Sequence, residues 1–413
     1  MRPLPRQKIY KFSFLNNLIN FFTMGIFNNK KTAELNHYLQ NFFNCKNILC
    51  LNRGRLGAYL AVKASLSNKK NKIILSPFTI FDVVNMVISA GAKPVFCDVE
   101  KKSITINMSN IIKMYDENVA AILITHTHVM NEDIEKIITF CKEKNILLIE
   151  DCAISFGTKY NNKFIGTLGD ISFFSFGIFK FISSLNGGMV MTKNNELYKK
   201  ILLEYKKFKY IDYKMLLKNF FKSIFITILT NKFIFKYFSS FIINFGYFKK
   251  NKFINNFSKN DPNPYYLDKL PNSYKKIISP SQSATILRQI PNYLIDFRLR
   301  IENAKIYYAH LRDIKEISIP NYEDSFNNGW INFPIMYKKR DLLLSYLFKN
   351  NRDLAIYFYR NCNDLKIFNQ FRNDNLKVIE EVVNELIVLP TYPKYEKKQV
   401  MENIKLINKF FNK

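Results

Sequence analysis

The sequence predicts an α/β protein: a mostly parallel, seven-stranded sheet in a large domain, followed by a small C-terminal α+β domain. Short apolar runs at 47–51, 72–76, 94–98, 119–125, 146–150, 171–176 and 188–192 have the length of buried strands. Helix-like segments at 55–67, 81–90, 107–115 and 132–144 fall between them. Strand–helix alternation of this kind indicates parallel pairing through helical crossovers. Towards the C-terminus, isolated strand-like pieces, WINFPIMY (330–337) and ELIVLP (385–390), lie among helices.

The chain of 413 residues is long enough for a large core and two domains. With 48% hydrophobic and 15% aromatic residues it is globular rather than disordered. The formal net charge of +29 has two readings that composition leaves open. One is a general abundance of Lys, Asn, Ile and Phe, as in AT-rich coding. The other is attraction to an anionic surface or substrate. Charge is also the sole argument for nucleic acid, and no nucleic-acid motif accompanies it. Cys45, Cys50, Cys97, Cys141, Cys152 and Cys362 form no CxxC pair and no metal-spaced cluster with histidine, so they read as reduced thiols of a cytoplasmic protein.

The apolar stretch at 12–27 is broken by Asn16, Asn17 and Asn20 and makes a poor signal peptide. No run reaches the ~18 uncharged apolar residues of a membrane span. No internal repeat is present.

Four parts are expected: an N-terminal helical segment (1–45), the large domain (46–195), a helical insertion (196–265), and an interdomain helix with the small domain (266–413). The insertion stands out by composition. Residues 196–260 hold 14 lysines and three acids, Glu196, Glu204 and Asp212. Within it, FFKSIFITILTNKFIFKYFSSFIINFGYF (220–248) is apolar but interrupted by Lys222, Lys232 and Lys236. Amphipathic helices lying on an anionic membrane have this pattern. Helices packed on the protein's own body or on a dimer partner have it too.

Two strand ends carry the chemistry. ILLIEDCAISFG (146–157) is an apolar strand ending on Asp151. FFSFGIFKFISSLNGGMV (173–190) is a second, with Ser175 at its end, Lys180 five positions on, and Gly187 and Gly188 opening the next run. In open α/β sheets ligands bind beyond the carboxyl ends of the strands. An acid and a lysine placed there suit pyridoxal phosphate: the lysine forms a Schiff base with the aldehyde, and the acid keeps the pyridine nitrogen protonated. So apolar a setting would partly desolvate Lys180 and lower its pKa. Taken alone, Asp151 could equally be a helix N-cap and Lys180 a solvated surface charge.

The order of these elements resembles the DegT/StrS family of sugar aminotransferases, which have an aspartate aminotransferase-like fold. The resemblance covers about 46–192 and 280–410 and fails over 196–270. In LNRGRLGAYLAV (51–62), Gly54 and Arg55 occupy the family's phosphate-binding element, at a helix start suited to an anion. SPFTIFDVVNMVISAGAKPVFCDVE (76–100) is similar to the family's Pro-x-x-Thr-aromatic segment, with Gly91 twelve residues after Thr79. The aromatic that stacks on the ring is Ile80 here; Phe78 and Phe81 are its neighbours.

ILITHTHVMNEDIEKI (122–137) aligns His126 with the family histidine, Asp133 with a later aspartate, and Val129 with a glycine. A lone histidine is more often structural than a ligand. In the Glu-Asp-x-Ala-Gln element, Asp151 is kept while Ile154 replaces the glutamine that contacts the cofactor's phenolic oxygen. Ser175 and Lys180 match the family's phosphate-binding serine and Schiff-base lysine. Gly177 stands for a frequent histidine and Asn186 for a glutamate. Gln282, Ala284 and Gln289 match the second-domain helix. Lys275, Lys276 and Ile277 replace an Asn-Tyr-Arg that reaches the neighbouring subunit's cofactor. ELIVLPTYPKYEKKQVMENI (385–404) matches the family's Leu-Pro-x-x-Pro segment.

The resemblance implies a homodimeric aminotransferase of surface-glycan biosynthesis. It would use pyridoxal 5'-phosphate to pass an amino group from glutamate or glutamine to a nucleotide- or lipid-linked keto-sugar. No metal is expected. A PLP-dependent sugar lyase or dehydratase is one alternative, although family dehydratases can replace the lysine. A catalytically weakened homologue that binds a membrane or a partner is another.

Overall fold

A computed structural model describes residues 30–127, 131–178, 180–249, 263–319, 328–352 and 360–412. The stretch at 12–27, Val129 and residues 250–262 of the expected insertion lie outside them.

The central sheet contains β1 (Ile48–Leu51), β2 (Lys72–Leu75), β3 (Lys93–Phe96), β4 (Val119–Thr125), β5 (Leu147–Asp151), β6 (Ile171–Ser175) and β7 (Gly188–Thr192). Their spatial order is β1-β7-β6-β5-β4-β2-β3. The pairs β3–β2, β2–β4, β4–β5 and β5–β6 are parallel, and β7 runs antiparallel to both β6 and β1. All seven residues of β4 are buried, as expected for a central strand covered on both faces.

Helices α1 (Lys30–Phe43), α2 (Gly54–Ser65), α3 (Phe81–Ser89), α4 (Met108–Met114) and α5 (Ile134–Glu143) belong to the large domain. Most of α2 is buried. It approaches β6 so closely that a Cβ on Gly57 would stand 2.6 Å from Cβ of Phe173. Leu35, Leu39 and Phe43 of α1 share a core with Phe156, Phe174 and Phe176. All six cysteines are free and buried.

The next helix, α6 (Asn195–Tyr205), departs from the sequence expectation that the insertion begins at 196. Leu197 and Ile201 are buried in the main core, and Tyr59 Oη donates to Glu204 at 3.0 Å. The lysines of this helix made it resemble the insertion, but they face outward. The exposed helical excursion is α7 (Tyr213–Leu229), followed by a helical stretch from Lys232 that ends in α8 (Ser240–Phe248). Asp212 caps α7 by accepting from the Met215 amide at 2.8 Å.

The chain returns through α9 (Pro280–Leu287) and α10 (Tyr293–Leu311), which divide the helical stretch expected at 280–312. A short turn over Ile290–Asn292, containing Pro291, separates them. A capping box of Ser279 and Gln282 starts α9. The small domain pairs β8 (Asn332–Met336) antiparallel with β9 (Leu386–Pro390). Around them pack α10, α11 (Arg340–Lys349) and α13 (Lys397–Phe411), with Tyr307, Trp330, Phe333, Leu347 and Ile404 in their core. Between α11 and α13, α12 (Val378–Glu385) leads into β9 and buries Ile379 and Val382 in the large-domain core. Arg360 and Asn361 pair with Thr79 and Phe78, tying this half to the first.

Candidate active site

Adjacent parallel strands bring Asp151 and Lys180 together. Asp151 is the last residue of β5, and Ser175 ends β6. The chain then turns, with the Lys180 amide donating to Gly177 O at 3.3 Å. Asp151 is 4% exposed, and its Oδ1 accepts from the Ala153 amide at 2.9 Å. Burial raises its pKa to about 6, against the opposing pull of that amide, Lys180 and His126. Burial lowers Lys180 to about 8, with Asp151 pulling it up and Arg55 pushing it further down. Each group therefore lies within the electrostatic reach of the other.

The loop that carries Lys180 is fixed from behind by α9 and by Gln289, two residues beyond it. Gln289 accepts from the Ser183 amide at 3.0 Å and donates to Ser183 O at 2.7 Å. Gln282 donates to Asn186 O, Asn52 O and Asn52 Oδ1 at 3.2–3.3 Å. Both glutamines thus position the loop from outside it.

Gly54 opens α2 directly against Ser175. A Cβ there would stand 2.7 Å from Ser175 Cβ and 2.8 Å from its Oγ, so only glycine admits this contact. Ser175 Oγ accepts from the Gly177 amide at 3.2 Å. The start of α2 and the Ser175 hydroxyl together make a cradle of the kind that holds phosphate. Arg55 is already paired: it meets Asp82 at 2.9 Å and donates to Tyr274 Oη at 3.0 Å.

His126 and Glu150 form a buried pair, with Nε2 2.9 Å from Oε2. Glu150 also accepts amides from Gly166, Leu168 and Gly169 at 2.6–2.9 Å. It is a structural anchor, although in sequence nothing separates it in role from the adjacent Asp151. Its amide partners lie 16 to 19 residues downstream; the glycines in IGTLGD were the available signal. His126, Glu150 and Cys152 have ligand atoms within 4.8 Å of one another. With the carboxylate saturated by amides, this is a hydrogen-bonded core rather than a metal centre.

Ile154 is buried three residues after Asp151 and offers no donor. Ile80 is partly buried as the N-cap of α3. Phe78 is buried, and Phe81 is also buried, edge-on to Tyr265 at 5.2 Å. Asp133 caps the neighbourhood of α4 instead of joining the site, accepting from the Met108 amide at 2.9 Å and pairing with Lys136. Lys276 pairs with Asp212 at 3.4 Å, and Lys275 O accepts from the Lys209 amide.

Several buried polar atoms have no partner: Thr125 Oγ1, His126 Nδ1 and Thr127 Oγ1 at the carboxyl end of β4, and Asn52 Nδ2 and Arg53 Nε before α2. Unsatisfied buried groups are costly, and their gathering at one edge of a sheet marks a place for a polar ligand. The orphaned atoms, the Gly54–Ser175 cradle and the Asp151–Lys180 pair fit pyridoxal phosphate. Asn52, Arg53, Thr125 and Thr127 were missed in the sequence because a polar residue at a strand end is common.

Comparison with known proteins agrees with this geometry. Residues 17–220 and 248–407 match the DegT/DnrJ/EryC1/StrS aminotransferase family. The unmatched part, 221–247, is shorter than the 196–270 gap expected from sequence. GDP-perosamine synthase of Escherichia coli O157:H7 is 34% identical over 172 residues, 42% of this chain and 45% of that protein. An uncharacterized protein of Methanocaldococcus jannaschii is 32% identical over 182 residues, 44% of this chain and 46% of that one. The chain thus spans about half the length of the curated relatives it matches.

Among solved structures, Helicobacter pylori PseC, an aminotransferase involved in the biosynthesis of pseudoaminic acid, aligns over 100% of this chain and 98% of its own, with TM-score 0.74 and 19% identity. A Bacillus subtilis structure with bound cofactor PMP aligns over 99% and 86%, with TM-score 0.74 and 16% identity. At these identities the likeness shows the fold. From the family match on both sides of the unmatched segment, we conclude that this chain belongs to the DegT/DnrJ/EryC1/StrS aminotransferase family.

Proposed function

We propose that the protein is a PLP-dependent sugar aminotransferase that moves an amino group from glutamate or glutamine to a nucleotide- or lipid-linked keto-sugar. The observation that carries this is the placement of Asp151 at the end of β5 and of Lys180 in the loop that follows the adjacent parallel strand β6, beside the Gly54–Ser175 cradle. Bound pyridoxal phosphate supplies an aldehyde that captures amines and a ring that withdraws electrons. Gly54 and Ser175 would hold its phosphate, and Asp151 would face its ring nitrogen. Lys180 Nζ, depressed towards neutrality by burial, can accept a proton from the donor's α-carbon and return it when the amine is delivered. The purified protein should be yellow, and borohydride should remove the colour and leave a label on Lys180. Protein that stays colourless with added cofactor would overturn the reading.

We further propose that it works as a homodimer in the cytoplasm, against the inner face of an anionic membrane. Residues 213–250 contain seven lysines and no acid. Leu217, Phe221, Phe225 and Ile228 form an exposed stripe on α7, and Phe233, Tyr237, Phe238, Phe241 and Phe245 continue it. Phe233 is 72% exposed and Phe241 61%. Among the described residues no helix is long and apolar enough to cross a bilayer, which leaves an in-plane contact. Flotation with anionic and neutral liposomes tests this; absence of binding to both would refute it.

A second reading draws on Ile80, Ile154 and Gly177. These replace a stacking ring, an amide donor and a histidine, as in a homologue that keeps the fold with weakened catalysis. A sugar lyase or dehydratase on the same lysine is separated from a transaminase by whether amine nitrogen appears in the product.

A further inference from the structure

Gln282 and Gln289 hold the far end of the Lys180 loop, at Asn186 and Ser183. Its near end is held through Phe181, the residue after Lys180, by the second half of the chain. The Arg300 guanidinium lies over the Phe181 ring, 5.0 Å from the centroid. Phe297, one turn earlier on α10 and so on the same face, meets that ring at 6.0 Å. Gly329 presses on both rings: a Cβ there would stand 2.6 Å from Phe181 Cζ and 2.5 Å from Phe297 Cε2.

Arg300 is a costly residue to keep in this place. It is 5% exposed. Its Nη1 donates to Ile331 O at 3.0 Å, and its Nε is buried without a hydrogen-bond partner. A buried guanidinium satisfied so incompletely destabilises the fold relative to a well-packed apolar residue. Its flat cation does, however, grip a ring face, an interaction that strengthens where water is excluded. Ile331 immediately precedes β8, so one side chain joins the start of the small domain to the residue after Lys180.

We propose that Arg300 is a positioning residue for Lys180: it clamps Phe181, and through it the backbone from which the Lys180 amine reaches the aldehyde of pyridoxal phosphate. This role rests on Lys180 being the lysine that captures the cofactor, as in the aminotransferase reading. Amine and aldehyde condense with release of water, and the rate of such a step depends on how well the two are held. Arg300 acts through packing, since burial, Asp151 and Arg55 set the charge of Lys180.

The test compares full-length wild type with Arg300→Met, Arg300→Lys, Phe181→Leu and the double variant of Arg300→Met with Phe181→Leu. In cofactor-free protein, hydrogen exchange read by mass spectrometry should be about tenfold faster in the Lys180 loop of Arg300→Met, with β5 unchanged. Pyridoxal phosphate is then added over a range of concentrations and pH. The saturating rate of colour formation should fall about tenfold or more in Arg300→Met. Its half-saturating concentration and pH midpoint should not move. Arg300→Lys, which keeps the cation, should recover part of the rate. Phe181→Leu should be slowed like Arg300→Met, and the double variant no further, because both substitutions break one contact. A wild-type capture rate in Arg300→Met, or losses that add in the double variant, would overturn the proposal. Should Arg300→Met not fold, a wild-type rate in Phe181→Leu overturns it alone. Wild-type protein that never colours refutes the aminotransferase reading instead, and loop exchange then decides the clamp.

Discussion

Asp151 and Lys180 hold each other partway between their solution states. Burial drives the carboxyl up to about 6 and the amine down to about 8, and each charge restrains the shift of the other. At neutral pH the acid is largely ionised while a useful share of the amine is uncharged.

Cofactor capture should therefore follow an amine of pKa near 8 rather than 10.5. The neutral amine is the nucleophile, so the rate of colour formation in cofactor-free protein should rise about tenfold per pH unit below 8 and level off above it. The stability sign follows from the depressed lysine. Its charging cost is absent above about pH 10.5, grows as pH falls towards 8, and is constant below. Lys180→Met should thus raise the melting temperature of cofactor-free protein at pH 7, with the gain fading above pH 10. A gain independent of pH would contradict the assignment.

Asp151→Asn would remove the charge proposed to face the ring nitrogen while keeping the shape. We expect kcat to fall on the order of a hundredfold or more, about 3 kcal/mol, with the chromophore still formed. Retention of near-normal kcat, measured by amine transfer, would show that another group performs this role.

Gly54→Ala would drive a Cβ into Ser175. The expected cost is about 1–3 kcal/mol of stability, together with weaker cofactor retention on gel filtration. An alanine variant with wild-type retention would place the phosphate elsewhere.

Glu150→Ala would leave three buried amides and the His126 ring without their acceptor. Each lost partner costs about 1–3 kcal/mol, so thermal denaturation should show a large loss of stability. Glu150→Gln, which keeps an oxygen, should lose less.

The strands were legible because parallel strands buried on both faces leave uninterrupted apolar runs: 119–125 in the sequence is Val119–Thr125 in the fold. Their order was not, since β1 pairs with β7 across more than 130 residues and no local pattern encodes that. Asp151 could be read because it ends such a run, and Lys180 because it follows the end of another by five residues. Arg53 could not, because the ring its guanidinium lies over, Tyr274, is far along the chain. Residues 195–205 misled because their lysines point outward from a helix whose Leu197 and Ile201 are core.

The burial of all six thiols has a practical consequence. Burial pushes Cys97 and Cys141 up to about 12, and Cys50 and Cys152 higher still, so alkylating reagents at neutral pH should pass them by. A single cysteine placed at Phe225 would then be the one reactive handle. A polarity-sensitive dye there could follow, in unmodified buffer, whether the aromatic ledge stays wet or enters lipid.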